Sequence, residues 1–409
     1  MSDVGATETA DRHASWLELF FDLVVVVAVA QLAHRLLHPA WPGVALFVML
    51  YYAIWSIWTS FTIYANVRAG KTRTRAMLIG MFGIAVMAAA APDVAHAVPG
   101  GGNHDDWFAI AYVVCRLSGS RSIQSSGAVV TSWPAAQLGA GLAPWIVSFW
   151  TPAPVTYWLW ALGILLDLLF TLQNARHPGR LLQALKTQSE RLKERARRHD
   201  GDGRRPPREI PAPYEAVLHT AHLGERLGLF VIIVLGEAVM QIVVEAGGQD
   251  WSTELKLAAA GSFALVVCLW WVTLQYGVTA VPETSERGLP PSVALPAHFV
   301  MTAGLVAAAA GLGAVVAQPV EHLHPGIRWV LCAGLAVYFA ASAVIGVATG
   351  ARRLWIWAWA LPATAVPVLL GLLGGPLPAW AVVAVLLAAA LWRVAYRPPA
   401  TAPTAPSPA

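Results

Sequence analysis

Apolar runs of about 20 residues recur along the whole chain, each long enough to cross about 30 Å of hydrocarbon as a helix. "WLELFFDLVVVVAVAQLAHRLL", "VALFVMLYYAIWSIWTSFTIYA" and "LGLFVIIVLGEAVMQIVVEA" are three of them. Inside a bilayer every backbone polar group needs a partner within the protein, so only helices and closed barrels cross. A barrel would need alternating segments of about ten residues. Unbroken runs argue instead for an all-α, polytopic membrane helix bundle. The composition agrees: 57% hydrophobic, 12% charged, with 19 tryptophans among 409 residues. Residues 1–15 are polar and mixed in charge, without the basic start and small-residue cleavage site of a signal peptide, so the first helix is expected to be retained. Cys115, Cys268 and Cys332 fall inside apolar runs without CxxC spacing, which argues against a disulfide framework or a zinc site.

Twelve spans are expected, at roughly 16–37, 43–66, 74–91, 107–120, 135–151, 155–173, 222–244, 255–278, 294–317, 326–348, 353–374 and 379–396. The fourth is the weakest, because "WFAIAYVVCRL" is apolar for only 11 residues before "SGSRSIQSSG" intervenes. The positive-inside rule supports keeping it. With the N-terminus in the cytoplasm, Arg68, Lys71, Arg73, Arg75, Arg116, Arg121, Arg352, Arg353, Arg393 and Arg397 fall inside. The long loop 174–221 adds 11 Lys or Arg against 6 Asp or Glu. Only Arg35, Lys256 and Arg328 of the 27 basic residues fall outside. Both termini come out cytoplasmic, in a cell (plasma) membrane. The net charge of +4 therefore reports orientation and does not indicate nucleic-acid binding.

The expected organisation is a cytoplasmic segment 1–15, a first membrane half 16–173, a basic cytoplasmic linker 174–221, a second half 222–396 and a Pro/Ala-rich disordered tail 397–409. The linker begins as a basic amphipathic helix and ends Pro-rich. It reads either as a solvated connector or as a helix resting on anionic lipid headgroups. Spans one and seven both carry a Glu at the inner end, then aromatics, a β-branched run and a Gln. That likeness raises the option of a parallel duplication of six-helix halves.

Ionisable groups at membrane depth are rare and usually face the protein interior. The candidate polar membrane cluster is Glu18, Asp22, Asp167, Glu225, Arg226, Glu237, Gln241 and His298. Glu18 and Asp22 share a helix face at i, i+4. Asp22 lies about 9–10 Å from the inner end of its helix, and Asp167 lies at a similar depth in span six. Arg226 is the expected countercharge for either. Glu237 falls eleven residues beyond Arg226, about three turns and 16 Å deeper on the same face. His222, Arg226, Glu237 and Gln241 form one polar stripe, while Gly224, Gly228 and Gly236 are expected to admit a close helix. One reading makes these residues buried clamps that fix packing. The other makes them a path for a cation, proton or small solute, with Glu237 as the proton-coupling group. No basic residue adjoins Glu237 in sequence, and a carboxyl so placed favours its neutral form.

Six histidines (His34, His38, His96, His104, His322 and His324) fall on the outer side, where a metal or pH-sensing site is an option beside plain solvation. His219, His222 and Glu225 are spaced for chelation at i, i+3 and i+6, but lack HExxH spacing. No GxSxG, Walker loop or dinucleotide fingerprint occurs, so neither an enzyme nor a bound cofactor is expected. The expected partners are membrane lipid and an ion or small solute, and the oligomeric state stays open.

"WLELFFDLVVVVAVAQLAHRL" together with "GERLGLFVIIVLGEAVMQIV" resembles the bacterial low temperature requirement protein A (LtrA) family. The matching positions are Glu18, Leu19, Phe20, Phe21 and Asp22, then Glu225, Arg226, Gly228, Leu235, Gly236 and Glu237, with His298 in the similar "AHFVMTAGLVAAAAGL". The resemblance runs from about residue 12 to 396. It implies a multi-helix bacterial membrane protein, but supplies neither substrate nor reaction. Two stretches depart from the family pattern: "SGSRSIQSSGAVVTSWPAAQ" is polar where relatives run on apolar, and "WWVTLQYG" lacks an acid. A fainter resemblance is to potassium channels with an FSD motif, here Phe21-Asp22 without the Ser. The leading expectation is a transporter or channel. The competing one is a non-transporting scaffold or sensor of the envelope or of cold adaptation, and an intramembrane enzyme is the third.

Overall fold

The structure is a computed structural model that describes residues 14–37, 39–68, 72–96, 104–137, 139, 141–176, 178–199, 212–277, 281 and 289–396. His38, Lys71, Arg397, the linker stretch 200–211 and the tail 397–409 lie outside the described residues. The described chain is almost entirely helical. Its helices are α1 (Trp16–Arg35), α2 (Trp41–Arg68), α3 (Thr74–Ala90), α4 (His104–Gln124), α5 (Leu142–Val147), α6 (Val155–Arg176), α7 (Pro178–His199), α8 (Thr220–Gly247), α9 (Thr253–Gln275), α10 (Pro291–Ala317), α11 (Pro325–Ala348), α12 (Arg353–Trp355), α13 (Leu361–Leu373) and α14 (Ala379–Ala395). A π-helical turn, Ile356–Ala360, joins α12 to α13 into one continuous rod. Among the described residues, nine helices are long and apolar enough to cross a membrane, and α14 is a shorter apolar helix. Trp16, Trp41, Trp107, Trp158 and Trp357 are exposed near helix ends, where amphipathic rings sit at the headgroups.

The expected fourth and fifth spans take other forms. Residues 104–124 make one 21-residue helix, α4, longer than the apolar run because the Ser/Gly-rich stretch simply continues it. Arg116 therefore lies within a helix, buried at 3% exposure, and is not a loop charge. Arg393 is likewise buried, within α14. The fifth span, 135–151, is not a single helix. It consists of the 3-10 turn Pro134–Ala136, the six-residue α5 and the 3-10 turn Ser148–Trp150. Its entry is a two-residue parallel pairing of Ala128–Val129 with Tyr214–Glu215. Val130, Trp133, Ala136 and Gln137 are buried, so the irregular backbone must find partners inside the protein. Gln137 provides them like a substitute strand: its Oε1 accepts from the Val130 N–H at 3.1 Å and its Nε2 donates to the Val130 carbonyl at 3.0 Å. Ser120 Oγ and Gln124 Nε2, from the polar extension of α4, donate to the Gln137 carbonyl at 2.6 and 2.9 Å. The polar stretch 118–137 thus braces the irregular segment that follows α4.

The chain divides into two compact units, 1–237 with 290–299, and 238–289 with 300–409. In the first unit α2 is central. Nearly every residue from Leu46 to Asn66 is buried, as expected of a helix apolar all round. Phe61 of α2 packs on Phe21 of α1, with centroids 5.5 Å apart, and both rings lie over Gly80 of α3, where a Cβ would come within 3.0 Å of each. Gly224 and Gly236 meet nothing within 4 Å among the described residues, contrary to the expected close helix approach there. Ser15 and Glu18 form a capping box at the head of α1, which gives Glu18 a local reason to be there.

In the second unit the close approach falls instead between α10 and α11. A Cβ on Gly304 would lie 2.5 Å from the Gly334 carbonyl oxygen, and one on Gly334 would lie 2.5 Å from that of Gly304. This is the small-residue contact that lets membrane helices pack backbone to backbone. Gly334→Val is expected to force the two helices apart at a cost of about 1–3 kcal/mol. The check is the melting temperature of the detergent-solubilised protein, and a melt equal to wild type would refute the contact. In the same unit, Arg393 stacks over Trp355 at 4.2 Å and donates to Ser342 Oγ of α11 at 3.0 Å.

Candidate functional site

Each group of the site sits where its helix end or face puts it. At the foot of α8, Asn66 of α2 grips the His219 backbone on both sides: Oδ1 accepts from its N–H at 2.9 Å and Nδ2 donates to its carbonyl at 3.0 Å. The same Nδ2 lies 3.2 Å from His222 Nδ1. An amide nitrogen can only donate, so Nδ1 accepts and the neutral ring carries its proton on Nε2. That atom faces Glu18 Oε1 at 3.4 Å. The other oxygen of Glu18 accepts from Ser15 N and Oγ, both at 2.7 Å.

One turn further along α1 and α8, Asp22 and Arg226 meet as a two-pronged pair at 2.5 and 2.8 Å. Trp58 Nε1 of α2 adds a third bond to Asp22 at 2.7 Å. Asp22 is 3% exposed and Arg226 fully buried. A fork-to-fork pair with an added donor is the geometry that a buried charge needs to offset its desolvation. His298 of α10 completes this side. Trp55 Nε1 donates to its Nδ1 at 3.0 Å, so its Nε2–H donates to the Leu227 carbonyl at 3.1 Å. Trp58 stacks on the ring at 5.6 Å and Phe230 meets it edge-on at 5.2 Å.

Asp167 belongs to a different group. Arg116 Nη2 of α4 donates to its Oδ2 at 2.7 Å, and the Gly141 N–H, just ahead of α5, donates to its Oδ1 at 3.1 Å. Arg116 Nη1 also reaches Ser60 Oγ of α2 at 3.3 Å. Trp58 and Ser60 are two residues apart, about 200° around α2 and about 3 Å along it. The two ion pairs thus stand on nearly opposite faces of α2 at similar height. Sequence spacing does not give the azimuth of Asp167, and its partner is Arg116, not the expected Arg226.

Of the remaining candidates, Glu225 Oε1 accepts from the Ala14 N–H at 3.4 Å at the edge of the group. Glu237 and Gln241 are buried further along α8, at 3% and 5% exposure. Gln241 lies against Gly313, where a Cβ would come 3.2 Å from its Oε1. Sequence reasoning missed Arg116, Trp55, Trp58 and Asn66. Arg116 carried a readable signal, a lone cation at the end of an apolar run. The other three do not stand out in so aromatic a helix. Among the described residues, no three His, Cys, Asp or Glu gather as metal ligands. His322 Nδ1 lies 3.2 Å from the Leu377 carbonyl, and His324 caps α11, its Nδ1 accepting from the Gly326 N–H at 3.3 Å.

Long apolar helices around buried, paired charges define an integral, multi-pass helical membrane protein. Residues 13–391 match the family described as bacterial low temperature requirement A protein (LtrA), and the chain belongs to that family. It is also similar to an uncharacterized protein of Rhizobium meliloti (strain 1021), 26% identical over 342 residues, covering 76% of this chain and 72% of that one. No solved structure matches the chain.

Proposed function

We propose that the chain is a transporter or channel of the cell membrane that moves an ion, a proton or a small solute. About twelve crossings in two halves of six, with the linker 174–221 and both termini cytoplasmic, frame this reading. The observation that carries it is the broken fifth segment. Its Gly141 N–H meets a buried carboxylate, Asp167, whose other oxygen is held by Arg116. Irregular backbone at membrane depth belongs where it is enclosed by protein or lines a path, and interrupted helices that aim backbone dipoles at a charged group are a transporter device. His222, His298 and Glu237 supply further exchangeable groups in the same unit.

The test is flux in proteoliposomes across protons, alkali cations and a panel of small solutes. Wild type is expected to conduct at least one of them. Glu237→Gln is expected to abolish that flux while the protein stays monodisperse. A wild-type protein silent across the whole panel overturns the reading. A scaffold or sensor is the second reading, favoured by the closure of Asp22 on Arg226 and Trp58. It expects no flux from wild type and no effect of Glu237→Gln.

A further inference from the structure

Helix α7 follows α6 after a single intervening residue and runs 22 residues through "PGRLLQALKTQSERLKERARRH". At about 100° per residue, Leu181, Leu192, Leu185, Ala196, Ser189 and Leu182 fall in one sector about 100° wide, which also takes the two terminal residues, Pro178 and His199. Basic positions flank that sector on both sides, with Lys193 and Lys186 beyond Leu182, and Arg195 and Arg191 beyond Leu181. The two acids, Glu190 and Glu194, fall on the opposite side. An even scatter of charges, as on a solvated connector, would not put every acid away from the apolar sector and bases along both of its edges.

The rest of the protein covers this sector only in part. Leu181 and Ser189 are buried, whereas Leu182 and Leu185 are half-buried and Lys186, Glu190 and Arg191 are exposed. The helix before it points to what covers the remainder. Leu162, Leu165, Leu169 and Leu172 of α6 form one exposed apolar face, 44–54% accessible, that runs down to within six residues of the start of α7. In a chain of this composition that face meets lipid tails, so α7 begins where the tails give way to headgroups.

We propose that α7 lies in the bilayer interface as an anionic-lipid-binding helix. Its half-buried Leu182 and Leu185 face the acyl boundary, its marginal Lys186, Arg191 and Lys193 engage phosphate headgroups, and Glu190 and Glu194 face water. Long basic side chains at the margins keep their charge in the headgroup layer while their stems cover apolar surface.

The experiment is hydrogen exchange of the full chain in nanodiscs, which expose both membrane faces, made of phosphatidylcholine alone or with phosphatidylglycerol added. Each basic residue near an anionic surface contributes about 1 kcal/mol, so peptides covering residues 181–199 are expected to exchange at least about tenfold more slowly with the anionic lipid. Peptides from α1 and α9 should not change. In Lys186→Glu/Arg191→Glu/Lys193→Glu the lipid-dependent protection should vanish. Equal exchange of wild-type α7 in the two lipids overturns the proposal, whatever the variant does. So does protection conferred by added nucleic acid, or by an acidic protein, but not by the anionic lipid.

Discussion

Arg226→Met is expected to lower the stability of the solubilised protein by about 3–5 kcal/mol, because it strands a carboxylate in the interior of the first unit. Asp22 is 3% exposed and holds Arg226 through two bonds, with Trp58 as the third donor. Without the guanidinium, the carboxylate keeps one indole N–H and no counterion. The double variant Asp22→Asn/Arg226→Met removes both charges together, and should return close to wild type or exceed it, since well-packed neutral groups often match a buried ion pair. Melting temperature by fluorescence-detected size-exclusion chromatography reads both. A single variant that melts with wild type would mean that the pair contributes nothing to holding α1 against α8. A double variant no better than the single would mean that the guanidinium matters by its shape and not by its charge.

The sequence disclosed helices far better than azimuths. Apolar runs mark α1, α2, α3, α6, α8, α9, α10 and α11 because lipid demands unbroken apolar length, and that demand is written residue by residue. Around 107–151 the same logic fails for a physical reason. There the backbone is satisfied by side chains, Gln137 on Val130 and Ser120 and Gln124 on Gln137, so hydropathy no longer tracks structure. The site shows the same division. The i, i+4 spacing of Glu18 and Asp22, and the place of Arg226 one turn into α8, are legible because one helix fixes them. That Asn66 and His222 meet, or that Trp58 reaches Asp22 from α2, depends on which faces of three helices turn inward, and no spacing encodes it. Glu18 shows how local chemistry can account for a residue that looks costly: it caps its own helix through Ser15 before it faces His222.

Arg116→Met is expected to be as damaging as Arg226→Met, since it leaves Asp167 with the Gly141 amide and no guanidinium. Arg116→Met/Asp167→Asn should recover most of that loss. The informative measurement crosses the two pairs. Trp58 serves one and Ser60 the other, on nearly opposite faces of α2. Arg116→Met and Arg226→Met should then add to within about 0.5 kcal/mol, as independent sites do. Arg116→Met and Asp167→Asn should instead show a coupling of several times that size, as direct partners do. A cross-pair coupling above about 1 kcal/mol would show that α2 transmits between them and that the two pairs act as one network. Flux should follow the same partition. If the broken segment lines the path, Asp167→Asn in the background of Arg116→Met restores the fold but not the flux, whereas Asp22→Asn/Arg226→Met restores the fold and leaves flux measurable. Equal flux from both double variants would detach the path from Asp167 and remove the main support for placing it at the broken segment.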